Sequence, residues 1–205
     1  MPFPSPESAS EEGIVAFGGD LTPKRLLEAY RQGIFPWYNQ EDPVLWWSPN
    51  PRFVLFRQKL HISKNMHKLF RKNAYRVTYN QHFEEVITRC ATTPRKEQDG
   101  TWIHPEIINA YCELHQMGFA HSVEVWEENQ LVGGLYGIKI NRIFCGESMF
   151  SLKNNASQYG FISFLQENPE IDLVDCQIHS QYLEKLGAEE ISRTDFLKII
   201  RLNTV

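Results

Sequence analysis

Between Cys145 and Gln177 the chain carries two apolar runs that hold acid or amide groups where core residues belong: Cys145-Gly146-Glu147-Ser148-Met149-Phe150-Ser151 and Leu173-Val174-Asp175-Cys176-Gln177. A polar group inside an apolar strand costs about 1–3 kcal/mol unless it finds a partner. Two such strands invite the expectation that their polar groups meet, across the helix-like segment between them. That demand narrows the folds open to the chain. A hydrogen-bonded pair that only fixes the fold would satisfy it, and so would a site where carboxylate and amide do chemistry.

The 205 residues, 42% of them hydrophobic, are enough to bury a real core, which excludes disordered and fibrous classes. No charged n-region precedes an apolar h-region, and no apolar run approaches the length of a membrane span, so a soluble cytoplasmic protein is expected. The cysteines Cys90, Cys112, Cys145 and Cys176 form no Cys-x-x-Cys pair, and the histidines show no His-Glu-x-x-His spacing. Neither disulfides nor a metal are expected. Net charge is −4, but between Asp42 and Glu84 there is no acid, while Arg52, Arg57, Lys59, Lys64, Lys68, Arg71, Lys72 and Arg76 all fall there. Segregation of this kind is the footprint of a polyanion partner on a chain that otherwise repels one.

Residues 1–13 read as an extended arm and 14–17 as a short strand. Thr22 as N-cap, Pro23 at the first helical position, Leu26, Leu27 and Tyr30 at helical spacing and Gly33 at the end mark a helix. The prolines and aromatics of 34–52, including Trp37, Trp46 and Trp47, form a rigid element, either a plug between domains or the wall of a site. Phe53 to Phe56 is a strand. Ser63 then caps a helix whose Lys64, Lys68, Arg71 and Lys72 share one face, a single-signed stripe suited to phosphates.

A strand over 75–79, a helix capped by Asn80 and running through Cys90, a polar loop over 91–100, and a helix from Pro105 to Gly118 follow. Strand 122–126 leads to a hairpin of 131–140 and 143–148 across Asn141-Arg142. A helix capped by Asn154 or Asn155, a strand over 171–177, a short helix over 179–186 and a last helix capped by Thr194 complete the chain. The order predicts an α+β domain with a central mixed sheet.

The motifs Gly18-Gly19-Asp20-Leu21, Gly33-Ile34-Phe35-Pro36-Trp37, Leu45-Trp46-Trp47-Ser48-Pro49, Gly100-Thr101-Trp102-Ile103, His121-Ser122-Val123-Glu124-Val125-Trp126, Gly146-Glu147-Ser148-Met149-Phe150-Ser151 and Asp175-Cys176-Gln177 occur in this order. With them the chain resembles the leucyl/phenylalanyl-tRNA–protein transferases from about Phe3 to Phe196. The resemblance implies a small N-terminal domain over 1–51 and a domain over 52–205 like the acyl-CoA N-acyltransferases (GNAT-like), with a largely antiparallel sheet. It implies transfer of Leu, Phe and less well Met from aminoacyl-tRNA to the N-terminal Arg or Lys of a protein, creating an N-degron, with no cofactor.

It further implies that Asp175 and Gln177 line the reaction centre, Asp175 orienting Gln177 and the Gln177 carbonyl oxygen holding the attacking amine. Glu147 would pair with the donor's α-ammonium or its adenosine. Trp37 and Trp102 would lie against the terminal adenosine, and Phe144, Met149, Phe164 and Val174 would form the pocket for the Leu or Phe side chain. At the basic helix Ser63-Lys64-Asn65 stands where the family pattern is Ser-Arg-Ser, so the charge is kept and the bidentate fork lost.

Acetyltransferase-like folds hold the CoA pyrophosphate on a glycine-rich turn at a helix N-terminus. Here the corresponding turn, Ser151 to Ser157, has no glycine, and Gly133, Gly134 and Gly137 fall inside a strand, where close backbone approach explains them. A donor whose phosphates belong to tRNA suits this better than acyl-CoA. Another acyltransferase of the same fold and a non-enzymatic RNA-binding module are the competing classes, and a monomer is the expected state.

Overall fold

A computed structural model describes residues 2–94 and 101–203. The apolar alternation of the central segments builds a seven-stranded sheet of β4 (Arg52–Phe56), β5 (Arg76–Tyr79), β6 (Ala120–Glu127), β7 (Gln130–Ile140), β8 (Ile143–Ser151), β9 (Leu173–Gln177) and β10 (Glu189–Ile191). Its order is β10-β4-β9-β8-β7-β6-β5, and every neighbouring pair is antiparallel except β8 with β9. This is the mixed, largely antiparallel sheet of the α+β class that the sequence predicts. A separate three-stranded sheet joins β1 (Ile14–Phe17) to β3 (Leu45–Trp47) and β2 (Phe35–Pro36).

Helices cover both faces of the large sheet. On one lie α3 (Phe83–Thr92) and α4 (Pro105–Gln116), with α1 (Pro23–Arg31) and α7 (Arg193–Leu202) in the same apolar cluster around Trp46, Tyr111, Tyr136 and Phe196. On the other lie α2 (Lys64–Arg71), α5 (Ala156–Glu167) and the single turn α6 (Gln181–Glu184), around Phe53, Leu135, Phe144 and Phe161. Leu135 and Tyr136, adjacent in β7, belong to opposite clusters, which is the period-two alternation of a strand buried on both faces.

Several element ends differ from expectation for local reasons. The Thr22 hydroxyl does not cap α1 but donates to Asp20 Oδ1 at 2.7 Å. Asn80 sits in the left-handed region, and its Oδ1 accepts the Ser122 N–H at 3.0 Å, pinning β5 to β6 while His82 takes the N-cap of α3. Helix α3 runs on to Thr92, two residues into the expected loop, and 95–100 of that loop lie outside the described residues. Ser192 rather than Thr194 caps α7, its Oγ accepting the Asp195 N–H at 3.0 Å. The strands β2, β3 and β10 were not expected. They are two or three residues long and have no alternation to read.

The strand glycines act as the pattern implies. A Cβ on Gly137 would stand 2.3 Å from the Cys145 carbonyl oxygen and 2.5 Å from the Phe144 ring, so only glycine lets β7 and β8 close at that point. A Cβ on Gly133 would meet Ala156 at 2.8 Å, where α5 begins. Overpacking of this kind costs about 1–3 kcal/mol. Gly137→Ala should therefore lower the melting temperature, by about 2–4 °C for each kcal/mol in a chain of this size; an unchanged melt would show that the strands yield freely there.

Candidate active site

Strands β8 and β9 are paired only from Ile143 with Leu173 to Cys145 with Asp175. Beyond that level β8 continues with β7 and β9 with β4, and the space between them is a cavity of about 870 Å³. Both strands carry a bulge there. In β8 the pairings step from Gly146 to Ser148 and leave Glu147 as the extra residue; in β9 they step from Asp175 to Gln177 and leave Cys176. A bulge re-aims a side chain, and these two bring together residues that regular strands would hold apart.

The polar groups do meet, as their cost in an apolar strand demands. Gln177 Nε2 donates to Glu147 Oε1 at 2.8 Å, and the Tyr111 hydroxyl of α4 donates to Glu147 Oε2 at 3.1 Å. The Tyr30 hydroxyl of α1 bonds to that of Tyr111, extending the chain of donors into the interior. Glu147 lines the cavity and is half-buried, and burial pushes its carboxyl up to about 7. Hydrogen bonds from Tyr30, Tyr111 and Gln177 oppose that rise, and the neighbouring negative charge of Asp175 adds to it.

Asp175 plays a different part from Glu147. It is 1% exposed and absent from the cavity wall, which Val174, Cys176 and Gln177 supply. Arg52, the first residue of β4, holds it with Nε on Oδ1 at 2.8 Å and Nη2 on Oδ2 at 2.6 Å. Asp175 Oδ1 also accepts the Gln177 backbone N–H at 3.0 Å. The link between Asp175 and Gln177 thus runs through the backbone, and the Gln177 side chain is held by Glu147.

The expected apolar pocket is largely in place. Phe144, Met149 and Val174 line the cavity with Leu135 and Phe161, whereas Phe164 lies one layer back, its ring 4.6 Å from that of Phe144. Trp37 and Trp102 line the same cavity. Trp47 props Trp37, donating its indole N–H to the Trp37 carbonyl at 2.6 Å, while Trp46 is core and donates to the Gly18 carbonyl at 2.9 Å.

Of the eight basic residues in the acid-free window, three make hydrogen bonds or ion pairs within the protein, and Arg76 stands over the Trp126 ring, 5.1 Å from its centre. Arg52 holds Asp175, Arg57 donates to the Leu165 and Asn168 carbonyls, and Lys59 pairs with Glu189. Lys64, Lys68, Arg71 and Lys72 are exposed along α2, and among the described residues they enter no salt bridge. Helix α2 packs on α5 through Phe70 and Tyr159, whose rings stack 4.2 Å apart, and the first turn of α5 borders the cavity.

Three backbone amides of the turn before α5 are already bonded. Leu152 N–H bonds to the Val132 carbonyl at 2.8 Å, Ala156 N–H to the Lys153 carbonyl at 3.1 Å, and Ser157 N–H to Ser151 Oγ at 3.2 Å. A pyrophosphate held by these three amides would have to break their bonds.

Sequence reasoning missed Tyr30, Tyr111 and Arg52 as members of this site. The tyrosines read as the apolar stripes of two amphipathic helices, and Arg52 reads as one more surface cation. One signal was available: an arginine opening the apolar strand 53–56 needs a buried counter-charge, and Asp175 in an apolar strand needs the converse.

Residues 19–50 match a family model for the N-terminal domain of leucyl/phenylalanyl-tRNA protein transferase, and residues 54–201 match the model for leucyl/phenylalanyl-tRNA protein transferase itself. Proteins named leucyl/phenylalanyl-tRNA--protein transferase are similar over nearly the whole chain. That of Christiangramia forsetii is 54% identical over 202 residues, 97% of this chain and 95% of its own. That of Flavobacterium johnsoniae is 51% identical over 201 residues with the same coverage, and that of Pseudomonas fluorescens 52% identical over 200, covering 96% and 88%.

Among solved structures, a GCN5-related N-acetyltransferase from Kribbella flavida aligns with a TM-score of 0.39 and 9% identity over 81% of this chain and 60% of its own. A conserved protein of unknown function from Bacteroides thetaiotaomicron aligns with 0.43 and 15% over 76% and 55%. Likenesses that slight, spanning under two thirds of either neighbour, carry no inference about this chain. The sequence relatives do: with both family models matched in order and half of all residues shared end to end, the chain belongs to the leucyl/phenylalanyl-tRNA–protein transferase family.

Proposed function

We propose that this protein transfers Leu or Phe, and less well Met, from aminoacyl-tRNA to the N-terminal Arg or Lys of proteins, creating an N-degron. In this reading it is a cytoplasmic monomer that needs no cofactor, with residues 1–51 a small N-terminal domain and 52–205 the GNAT-like catalytic domain. The observation that carries the reading is the Glu147–Gln177 pair, set in a cavity also lined by apolar side chains and two tryptophans. Among the described residues no helix is long and apolar enough to cross a membrane, in keeping with soluble substrates.

The donor ester is already activated, so the site has to orient an amine, carry a proton and exclude water. Gln177 gives its amide N–H to Glu147, which leaves its carbonyl oxygen to accept from the acceptor's α-amine. The amine nitrogen bonds to the ester carbonyl carbon, and its surplus proton passes to the Glu147 carboxylate. The bond from that carbon to the ribose oxygen then breaks, and the leaving oxygen takes the proton back from Glu147. A carboxyl near 7 can both accept and return a proton at physiological pH, which a glutamine cannot. The Tyr111 hydroxyl, bonded to the second carboxylate oxygen, keeps Glu147 aimed throughout.

Phe144, Met149 and Val174, backed by Phe164, receive the donor side chain, and Met149 tolerates more than one shape. An apolar pocket separates ligands by only about 1–3 kcal/mol per methylene, so Met enters as well. Trp37 and Trp102 offer ring faces for the terminal adenine, where stacking contributes about 1–3 kcal/mol. Lys64, Lys68, Arg71 and Lys72 meet the phosphates of the acceptor stem. The turn before α5, Ser151 to Ser157, has no glycine, which weighs against acyl-CoA as donor.

Labelled Leu carried on tRNA should pass to a peptide beginning with Arg and not to one beginning with Ala; labelling of neither, or acetylation from acetyl-CoA instead, would overturn the reading. Because Glu147 must be deprotonated to act as base, kcat/KM should rise with pH through about 7. The acceptor amine deprotonates over a neighbouring range, so the decisive comparison is with Glu147→Gln, which should lack the step near 7 and keep the later one. Changing Lys64, Lys68 and Arg71 together to Ala should weaken tRNA binding and flatten its dependence on salt, by about one unit of slope for each phosphate no longer neutralised. Unaltered affinity would remove α2 from the interface.

A further inference from the structure

The buried ion pair behind the cavity does more than fill the core. Asp175 touches no part of the cavity, yet its Oδ1 accepts both from Arg52 and from the backbone N–H of Gln177. Gln177 has φ 65°, in the left-handed region that a side-chain-bearing residue adopts only when its surroundings over-determine it. Its register on β4 is set by the pairing of Phe53 with Gln177, one residue from Arg52 and directly after the bulge at Cys176.

The position of Arg52 is itself fixed from three directions. The fork on Asp175 sets it in the plane of the guanidinium, and the rings of Phe35 and Phe196 set it from outside that plane, 4.8 and 4.4 Å from the central carbon. Phe35 belongs to the small sheet and Phe196 to the last helix, so parts of the chain far apart in sequence meet on one side chain. A lysine there would keep the charge but lose the two parallel bonds and the flat face.

We infer that Arg52 is a positioning residue: by clamping Asp175 it fixes the left-handed backbone of Gln177, and so aims the Gln177 amide at Glu147 and the acceptor amine. The inference rests on the reading of Gln177 given above. A purely structural ion pair would lower stability when altered but would act on transfer independently of Gln177.

A double-mutant cycle separates these cases, with Arg52→Lys, Gln177→Ala and the double variant compared in single-turnover transfer from Leu-tRNA and in Leu-tRNA affinity. Gln177→Ala alone should slow transfer by at least about 100-fold, and Arg52→Lys alone by about 10-fold or more, with affinity within about twofold of the parent. In the Gln177→Ala background Arg52→Lys should add less than about a further twofold. Equal factors in both backgrounds, a transfer rate for Arg52→Lys close to the parent, or a loss confined to tRNA affinity would overturn the inference. Near-normal transfer by Gln177→Ala would instead remove Gln177 from the reaction, and the role of Arg52 with it. Should Arg52→Lys fail to fold, Asp175→Asn, which can keep an oxygen for the Gln177 N–H but removes the carboxylate that Arg52 clamps, replaces it in the same cycle with the same outcomes.

Discussion

A guanidinium and a carboxylate, each 1% exposed and 123 residues apart in the chain, meet at the centre of this protein. Taking two charges out of water costs several kcal/mol per ion, and their attraction offsets this only when geometry is good and other hydrogen bonds are satisfied. Arg52 and Asp175 have the bidentate geometry and the Gln177 N–H bonds to Asp175 Oδ1, while Arg52 Nη1 is buried without a hydrogen-bond partner, so the pair meets that condition only in part. Such a pair adds little net stability over well-packed apolar side chains, but it tolerates only one arrangement of the strands that carry it. β4, β9, the small sheet and α7 are held in register around it.

The same region shows how a continuous sheet makes a cavity without losing its edges. β8 and β9 part after Cys145 and Asp175, but each keeps its other neighbour, so the backbone groups along their outer sides stay bonded. The bulges at Glu147 and Cys176 take up the change of direction, and Gly137 permits the close approach that the first of them needs. What opens between the strands is apolar on one side and polar on the other. That division suits a substrate with a hydrophobic side chain and a reacting ester. Burial does the rest: it raises the proton affinity of Glu147, while the tyrosine hydroxyls behind it supply donors that never reach solvent.

Most of the architecture was legible in the sequence because it depends on local rules. Alternation marked the long strands, Pro23 and Gly33 marked the first helix, and Asn141-Arg142 marked the hairpin. Elements of two or three residues escaped, since Phe35–Pro36, Leu45–Trp47 and Glu189–Ile191 become strands only because a partner lies beside them. The caps expected at Asn80 and Thr194 were misplaced: the Asn80 side chain is taken by the Ser122 N–H, and at the last helix Ser192, two residues earlier, caps instead. The run of cations overstated the surface charge, because sequence alone does not distinguish an arginine facing phosphate from one facing Asp175.

The residues alone already require that a carboxylate and an amide in two apolar strands find partners, and they mark a mixed α+β sheet and the motifs of one family. Burial cost and side-chain period are properties of short segments, so no tertiary knowledge was needed. Only the tertiary structure decided who the partners are: Glu147 with Gln177 and Tyr111, and Asp175 with Arg52. Those pairings depend on two bulges and on where β8 and β9 separate, which are set by packing between residues more than a hundred positions apart as well as by the strands' own order.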